Sequence, residues 1–259
     1  MKMLLWLTLV GLLAPRAFGA IQTRDVEYKD GDVVLQGFLA YDDSAAGRRP
    51  GVVIFHEWKG PSSYERGRAE QLAGLGYVAF VADVYGKGVR PTSAAEAGAE
   101  ATKYKSNRPL MRERAKLALA EIRKQEMVDP DRVASIGYCF GGTAALELAR
   151  SGADVKGVVS FHGGLDSPTP ADGKNIKAKV LVLHGADDPT SPPEMIAAFQ
   201  DEMRKGGVDW QFVLYSGARH AFSNPAAGNS PTGPVAYNEK ADKRSWEAMK
   251  TFFAEIFKK

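Results

Sequence analysis

The sequence predicts an α/β fold: a mainly parallel sheet of the eight-stranded type with helices on both faces. Three observations carry this. From residue 50 onward, strand-length apolar runs alternate with helical segments. Several of those runs, Gly51-Val52-Val53-Ile54-Phe55 among them, are apolar throughout, as strands covered on both faces are. Polar turns rich in Gly, His and Asp follow the runs at their carboxyl ends, where open α/β sheets place their sites.

In chain order, residues 26–28 and 33–40, joined by Lys29-Asp30-Gly31-Asp32, read as an antiparallel hairpin at the sheet edge. A strand at 50–55 leads into His56-Glu57-Trp58, and a helix capped by Ser62 or Ser63 runs to Gly74. The strand at 77–82 ends in Asp83-Val84-Tyr85. Residues 87–109 hold a short helix at 94–104 that either covers the strand ends as a lid or runs over the surface. A helix at 110–127 carries Leu117, Ala120 and Ile122 on one side. Strands follow at 132–136, 155–161, 178–183 and 208–215, with helices at 143–149, 193–205 and 236–257 between and after them.

The N-terminus stands apart. Lys2, an apolar run over residues 3–14 and Pro15-Arg16-Ala17-Phe18-Gly19 have the charged, apolar and small-x-small regions of a secretory signal. The run is short for a membrane span. Residues 1–20 are therefore expected to be cleaved after Gly19 or Ala20, leaving 21–259 as one domain, exported to a periplasm or beyond the cell and monomeric. Lys2 and Arg16 leave with the signal, so 34 basic residues become 32 against 31 acidic ones, a net charge of +1. That balance gives no electrostatic case for nucleic acid or an anionic membrane as partner. The lone cysteine rules out an internal disulfide and marks a reactive thiol.

That cysteine lies in Gly137-Tyr138-Cys139-Phe140-Gly141-Gly142, between an apolar strand and a helix. Strand, G-x-C-x-G turn and helix make a nucleophile elbow with sulfur in place of the commoner oxygen. The glycines two before and two after let strand and helix meet, and the helix N-terminus favours the thiolate. A thiol nucleophile needs a base and an acid that orients it. Of His56, His162, His184 and His220, only His220 follows the final strand, after any candidate acid. Asp187 and Asp188 both fit the acid, and the Gly185-x-x-Asp188 spacing favours Asp188. Backbone N–H groups of Trp58 and Phe140 are placed to flank an oxyanion. Glu57 is the unusual residue: a carboxylate near the thiol would raise its pKa and keep it quiescent. No two histidines fall at metal-ligand spacing on one element, so no metal is expected.

With His56-Glu57-Trp58, Asp83-Val84-Tyr85, the Cys139 elbow, Gly185-x-x-Asp188 and His220-x-Phe222, the mature chain resembles the dienelactone hydrolase family of α/β-hydrolases. The resemblance implies a Cys139–His220–Asp188 triad, Glu57 in contact with the resting thiol and Tyr85 near the substrate. It also implies cofactor-free hydrolysis of a carboxylate-bearing lactone, held by arginines. One such arginine position reads Asn224 here, which leaves Arg90 or Lys87 to meet an anion. A carboxylesterase, thioesterase or peptide-cleaving hydrolase on the same site is the alternative, and a non-catalytic binding protein of the same fold is the second.

Overall fold

The computed structural model describes residues 20–230 and 232–258; the expected signal sequence, but for Ala20, lies outside them. The chain opens with strands β1 (Ile21–Asp30) and β2 (Val33–Asp42), then β3 (Arg49–Phe55), α1 (Ser63–Gly74), β4 (Val78–Ala82), α2 (Ala94–Lys105) and α3 (Arg108–Arg123). It continues through β5 (Val128–Tyr138), α4 (Phe140–Arg150), β6 (Gly157–Phe161), β7 (Lys179–Gly185), α5 (Pro193–Gly206), β8 (Trp210–Tyr215) and α6 (Glu239–Ile256). The eight strands form one sheet in the order β1-β2-β4-β3-β5-β6-β7-β8. Strands β3 to β8 pair in parallel, and the β1–β2 hairpin joins them antiparallel at the edge.

Both faces of the central strands are buried, which explains their unbroken apolar runs. Val53, Phe55 and Phe80 point to one face, covered by Met111 and Ile122 of α3, Ala144 and Leu148 of α4 and Phe199 of α5. Val52, Ile54 and Val81 point to the other, covered by Leu72 of α1 and Met249 and Phe253 of α6. Local chemistry sets the helix starts. Ser62–Glu65 and Ser93–Glu96 form reciprocal capping boxes on α1 and α2, and Asn238 caps α6.

Tertiary contacts shift some boundaries. The helical pattern at 110–127 gives way at Arg123, because the Arg49 amide donates to the Met127 carbonyl (2.9 Å) and Val128 enters the sheet beside Arg49. Residues 128–131, left between the expected helix at 110–127 and strand at 132–136, are taken up in β5, where the register shifts between Pro50 and Gly51. At its other end, α3 starts two residues early, capped by Asn107 with Pro109 in its first turn. The hairpin is also longer than the sequence pattern indicates, since its outer half is exposed and carries no alternation.

Candidate active site

Every turn singled out as a candidate for the site lies at the carboxyl end of a parallel strand. Residues 56–58 follow β3, Asp83–Tyr85 follow β4, Cys139 follows β5, His162 follows β6, Asp188 follows β7 and His220 follows β8. The elbow glycines have a steric reason. A Cβ on Gly137 would sit 1.9 Å from the Gly141 carbonyl oxygen, and one on Gly141 would sit 2.1 Å from the Phe55 oxygen. So close a strand–helix approach throws Cys139 into the left-handed region, φ 54°.

The thiol meets His220 at 3.1 Å between Sγ and Nε2, and His220 Nδ1 lies 2.8 Å from Asp188 Oδ2. Asp188 Oδ1 accepts from the amide and hydroxyl of Thr190 at 2.9 and 2.7 Å. Burial works against the charge on Asp188, yet the bonds from His220 and Thr190 outweigh it and hold the carboxyl at about 2. For His220 burial again disfavours the charge, and the bonds to Asp188 and Cys139 overcome it, raising the imidazole to about 10. Asp187 turns its amide to the Ala218 carbonyl and is exposed. Asp188 is therefore the aspartate brought to the histidine. His184, fully buried, sits with Nε2 3.5 Å from Asp188 Oδ2 and stays neutral, pressed by burial to about 4.

Glu57 departs from the expected contact. Its Oε2 accepts from Asn224 Nδ2 at 2.7 Å, its Oε1 is buried without a partner, and it makes no hydrogen bond to Cys139 among the described residues. The Asn224 amide draws the carboxyl aside while the thiol turns to His220. Burial, helped by the nearby Glu65 carboxylate, raises Glu57 to about 7.

Tyr85 stands one layer behind the cavity. Its ring packs between His56 and Phe140, and its hydroxyl donates to the Trp58 carbonyl at 2.9 Å. It thereby fixes the loop that carries the Trp58 amide. Buried His56 secures the same loop, donating from Nδ1 to the Glu57 carbonyl (2.6 Å) and accepting the Val84 amide on Nε2 (3.2 Å). The Trp58 and Phe140 amides donate to no described group. Arg90 turns away: its guanidinium donates to the Gly86 and Val89 carbonyls and faces Asp83 at 3.6 Å. Lys87 pairs with Glu27 on the surface.

Cys139, His220, Glu57 and Asn224 open onto one cavity of about 550 Å³, walled largely by apolar atoms of Trp58, Phe140, Met195 and Val235. Helix α2 supplies Ala101 and Lys105 to its wall, so part of the 87–109 segment reaches the cavity. Among the described residues, Lys59 and Lys105 are the lysines in its lining. Among the described residues no cluster of His, Cys, Asp or Glu is arranged to hold a metal ion, and no helix is long and apolar enough to cross a membrane. Sequence order set aside His162, which the fold nonetheless places against the elbow: its Nδ1 lies 3.1 Å from the Cys139 amide nitrogen. Its place at a strand end was the only signal available.

A sheet of this order, with an elbow after β5, an acid after β7 and a histidine after β8, defines an α/β-hydrolase. Within that class the chain belongs to the dienelactone hydrolase family, whose profile matches residues 35–257, and it is a hydrolase. It is 42% identical to the solved structure named m3DLH, covering 93% of this chain and 100% of that one at a TM-score of 0.89. A dienelactone hydrolase-like promiscuous phosphotriesterase from metagenomic libraries is 40% identical, with 93% and 100% covered and a TM-score of 0.87. A protein of Aquifex aeolicus, provisionally named a carboxymethylenebutenolidase, is 28% identical over 90% of this chain and 98% of its own.

Proposed function

We propose that the protein hydrolyses small carboxylic esters or lactones through a thioester on Cys139. The contact line from Cys139 Sγ through His220 to Asp188 Oδ2 carries this reading. The thiolate attacks the carbonyl carbon, and the carbonyl π pair moves onto oxygen, facing the Trp58 and Phe140 amides. As the tetrahedral adduct collapses, the C–O bond breaks and protonated His220 gives its proton to the departing alkoxide. In a lactone that alkoxide stays tethered. Neutral His220 then takes a proton from water, hydroxide adds to the thioester, and C–S cleavage restores the thiolate beside protonated His220. Asp188 holds the imidazole in the tautomer this sequence requires.

With Arg90 and Lys87 turned outward and Asn224 bonded to Glu57, no arginine among the described residues lines the cavity. The largely apolar wall suits uncharged esters and lactones, and Lys59 and Lys105 are left to meet the carboxylate-bearing lactone implied by resemblance. The likeness to a phosphotriesterase favours a second reading, in which neutral phosphotriesters enter the same cavity. A panel of neutral and carboxylate-bearing aryl esters, lactones and phosphotriesters, run with and without iodoacetamide, separates these substrates. Cys139→Ala is expected to lose about 10³-fold or more in kcat/KM on the best of them. Parental activity in that variant would end the thioester scheme, and an inert thiol would favour a binding protein. The expected signal sequence supports action outside the cytoplasm, which N-terminal sequencing of the purified protein tests.

A further inference from the structure

The described chain has three non-glycine residues with positive φ: Cys139 at 54°, His162 at 40° and Ala221 at 58°. Such a backbone is strained in a residue other than glycine, and its surroundings must hold it there. All three lie at the site, and two of them are directly bonded. The Cys139 amide donates to both the Phe161 carbonyl (3.0 Å) and His162 Nδ1 (3.1 Å).

An amide can only donate, so Nδ1 is an acceptor and the imidazole proton sits on Nε2. That proton points to Ser223 Oγ at 2.8 Å. Ser223 is itself gripped from the far side: Tyr64 OH lies 2.7 Å from its hydroxyl, and Arg68 donates to its carbonyl at 2.9 Å. The next residue, Asn224, holds Glu57. A single path of bonds thus joins the backbone of the elbow to the wall opposite it. His162 is fully buried and does not line the cavity. It stands edge-on to His220 with ring centres 5.4 Å apart. Burial first, and the charge on His220 second, push its pKa well below the ordinary histidine value, consistent with a ring that never competes for the thiol's proton.

We propose that His162 is a positioning residue, locked as the Nε2-protonated neutral tautomer, that holds the strained Cys139 elbow against the Ser223–Asn224 turn and so sets the thiol on His220. Asparagine at 162 would keep an acceptor near the place of Nδ1, whereas leucine would fill the volume and accept nothing. The inference rests on Cys139 as nucleophile, but thiol alkylation reads elbow geometry whether or not the thioester forms.

The test measures the rate of Cys139 alkylation by iodoacetamide from pH 5 to 10, together with kcat and KM on an aryl ester. His162→Leu is expected to slow alkylation at pH 7 by about 10²-fold, the effect of a misplacement near 1 Å, and to shift the pH profile. His162→Asn should restore the rate to within about threefold of the parent, and Ser223→Ala should lower it by roughly threefold to tenfold, with KM unchanged in both; these sizes follow from loss of one bond of the path. Parental alkylation in folded His162→Leu, or equal damage from Asn and Leu, would overturn the proposal. Should His162→Leu not fold, Ser223→Ala decides, since a parental rate there removes the path from elbow to turn. Full hydrolysis by Cys139→Ala would instead sink the nucleophile assignment.

Discussion

The two ends of α4 solve opposite problems. Its N-terminal end carries Cys139 in a strained turn, open to a cavity and packed against glycine backbone. Its C-terminal end carries Glu147 and Arg150, both fully buried. Arg150 grips Glu202 through two bonds of 2.9 and 2.7 Å and Glu147 through one of 3.0 Å, and Arg112 reaches Glu147 at 2.7 Å. Charge at the far end is neutralised pair by pair and faces no cavity. At the near end, His220 is left charged beside a thiol, and Glu57 has an oxygen without a partner. One helix therefore joins a region whose buried charges are paired to one whose polar groups face a cavity. The matched end anchors the helix, and the anchored helix can hold the strained turn.

Breaking the reactive end should abolish rate, and breaking the matched end should abolish stability. Asp188→Asn is expected to give the largest effect, a fall of about 10⁴-fold in kcat with the His220 tautomer lost; steady-state kinetics on the best ester checks it. Arg150→Met leaves Glu202 unpaired in the interior and should lower stability by about 3–5 kcal/mol, roughly 10 °C in Tm, while kcat per folded molecule stays within about twofold. Urea unfolding with active-site titration reads both, and a drop in kcat at unchanged stability would erase the contrast between the two ends.

The smallest effect concerns Glu57. Because its native pKa is raised to about 7 from an ordinary 4.5, its contribution to stability is fully present below pH 4.5 and is lost as pH rises through 7. Glu57→Gln removes that loss, so the variant should gain on the parent by up to about 3 kcal/mol between pH 4.5 and 7.5. Thermal melts across that range would show parallel curves if the carboxyl were solvated and unperturbed.

Much of this was legible in the residues. Unbroken apolar runs announced a two-sided sheet, the elbow glycines located Cys139, chain order brought His220 forward, and the Gly185-x-x-Asp188 spacing brought Asp188. Arg90 and Tyr85 were harder, because side-chain direction out of a loop depends on what receives it. The Gly86 and Val89 carbonyls and Asp83 take the guanidinium, and the Trp58 carbonyl takes the phenol. Helix α3 shows the same limit, its C-terminal turn yielding to a sheet partner 79 positions away in the chain, at Arg49.

By itself the sequence determined the fold class and the family, and it singled out Cys139, Asp188 and His220, which the fold brings into contact, because periodicity and glycine spacing are local and strand order fixes which turns share an edge. Only the tertiary structure decided that Glu57 bonds Asn224 instead of the thiol, and that His162, out of order for catalysis, grips the elbow. Such contacts depend on which of several nearby donors comes within hydrogen-bond reach once the strands are in register, and differences of about an ångström settle that.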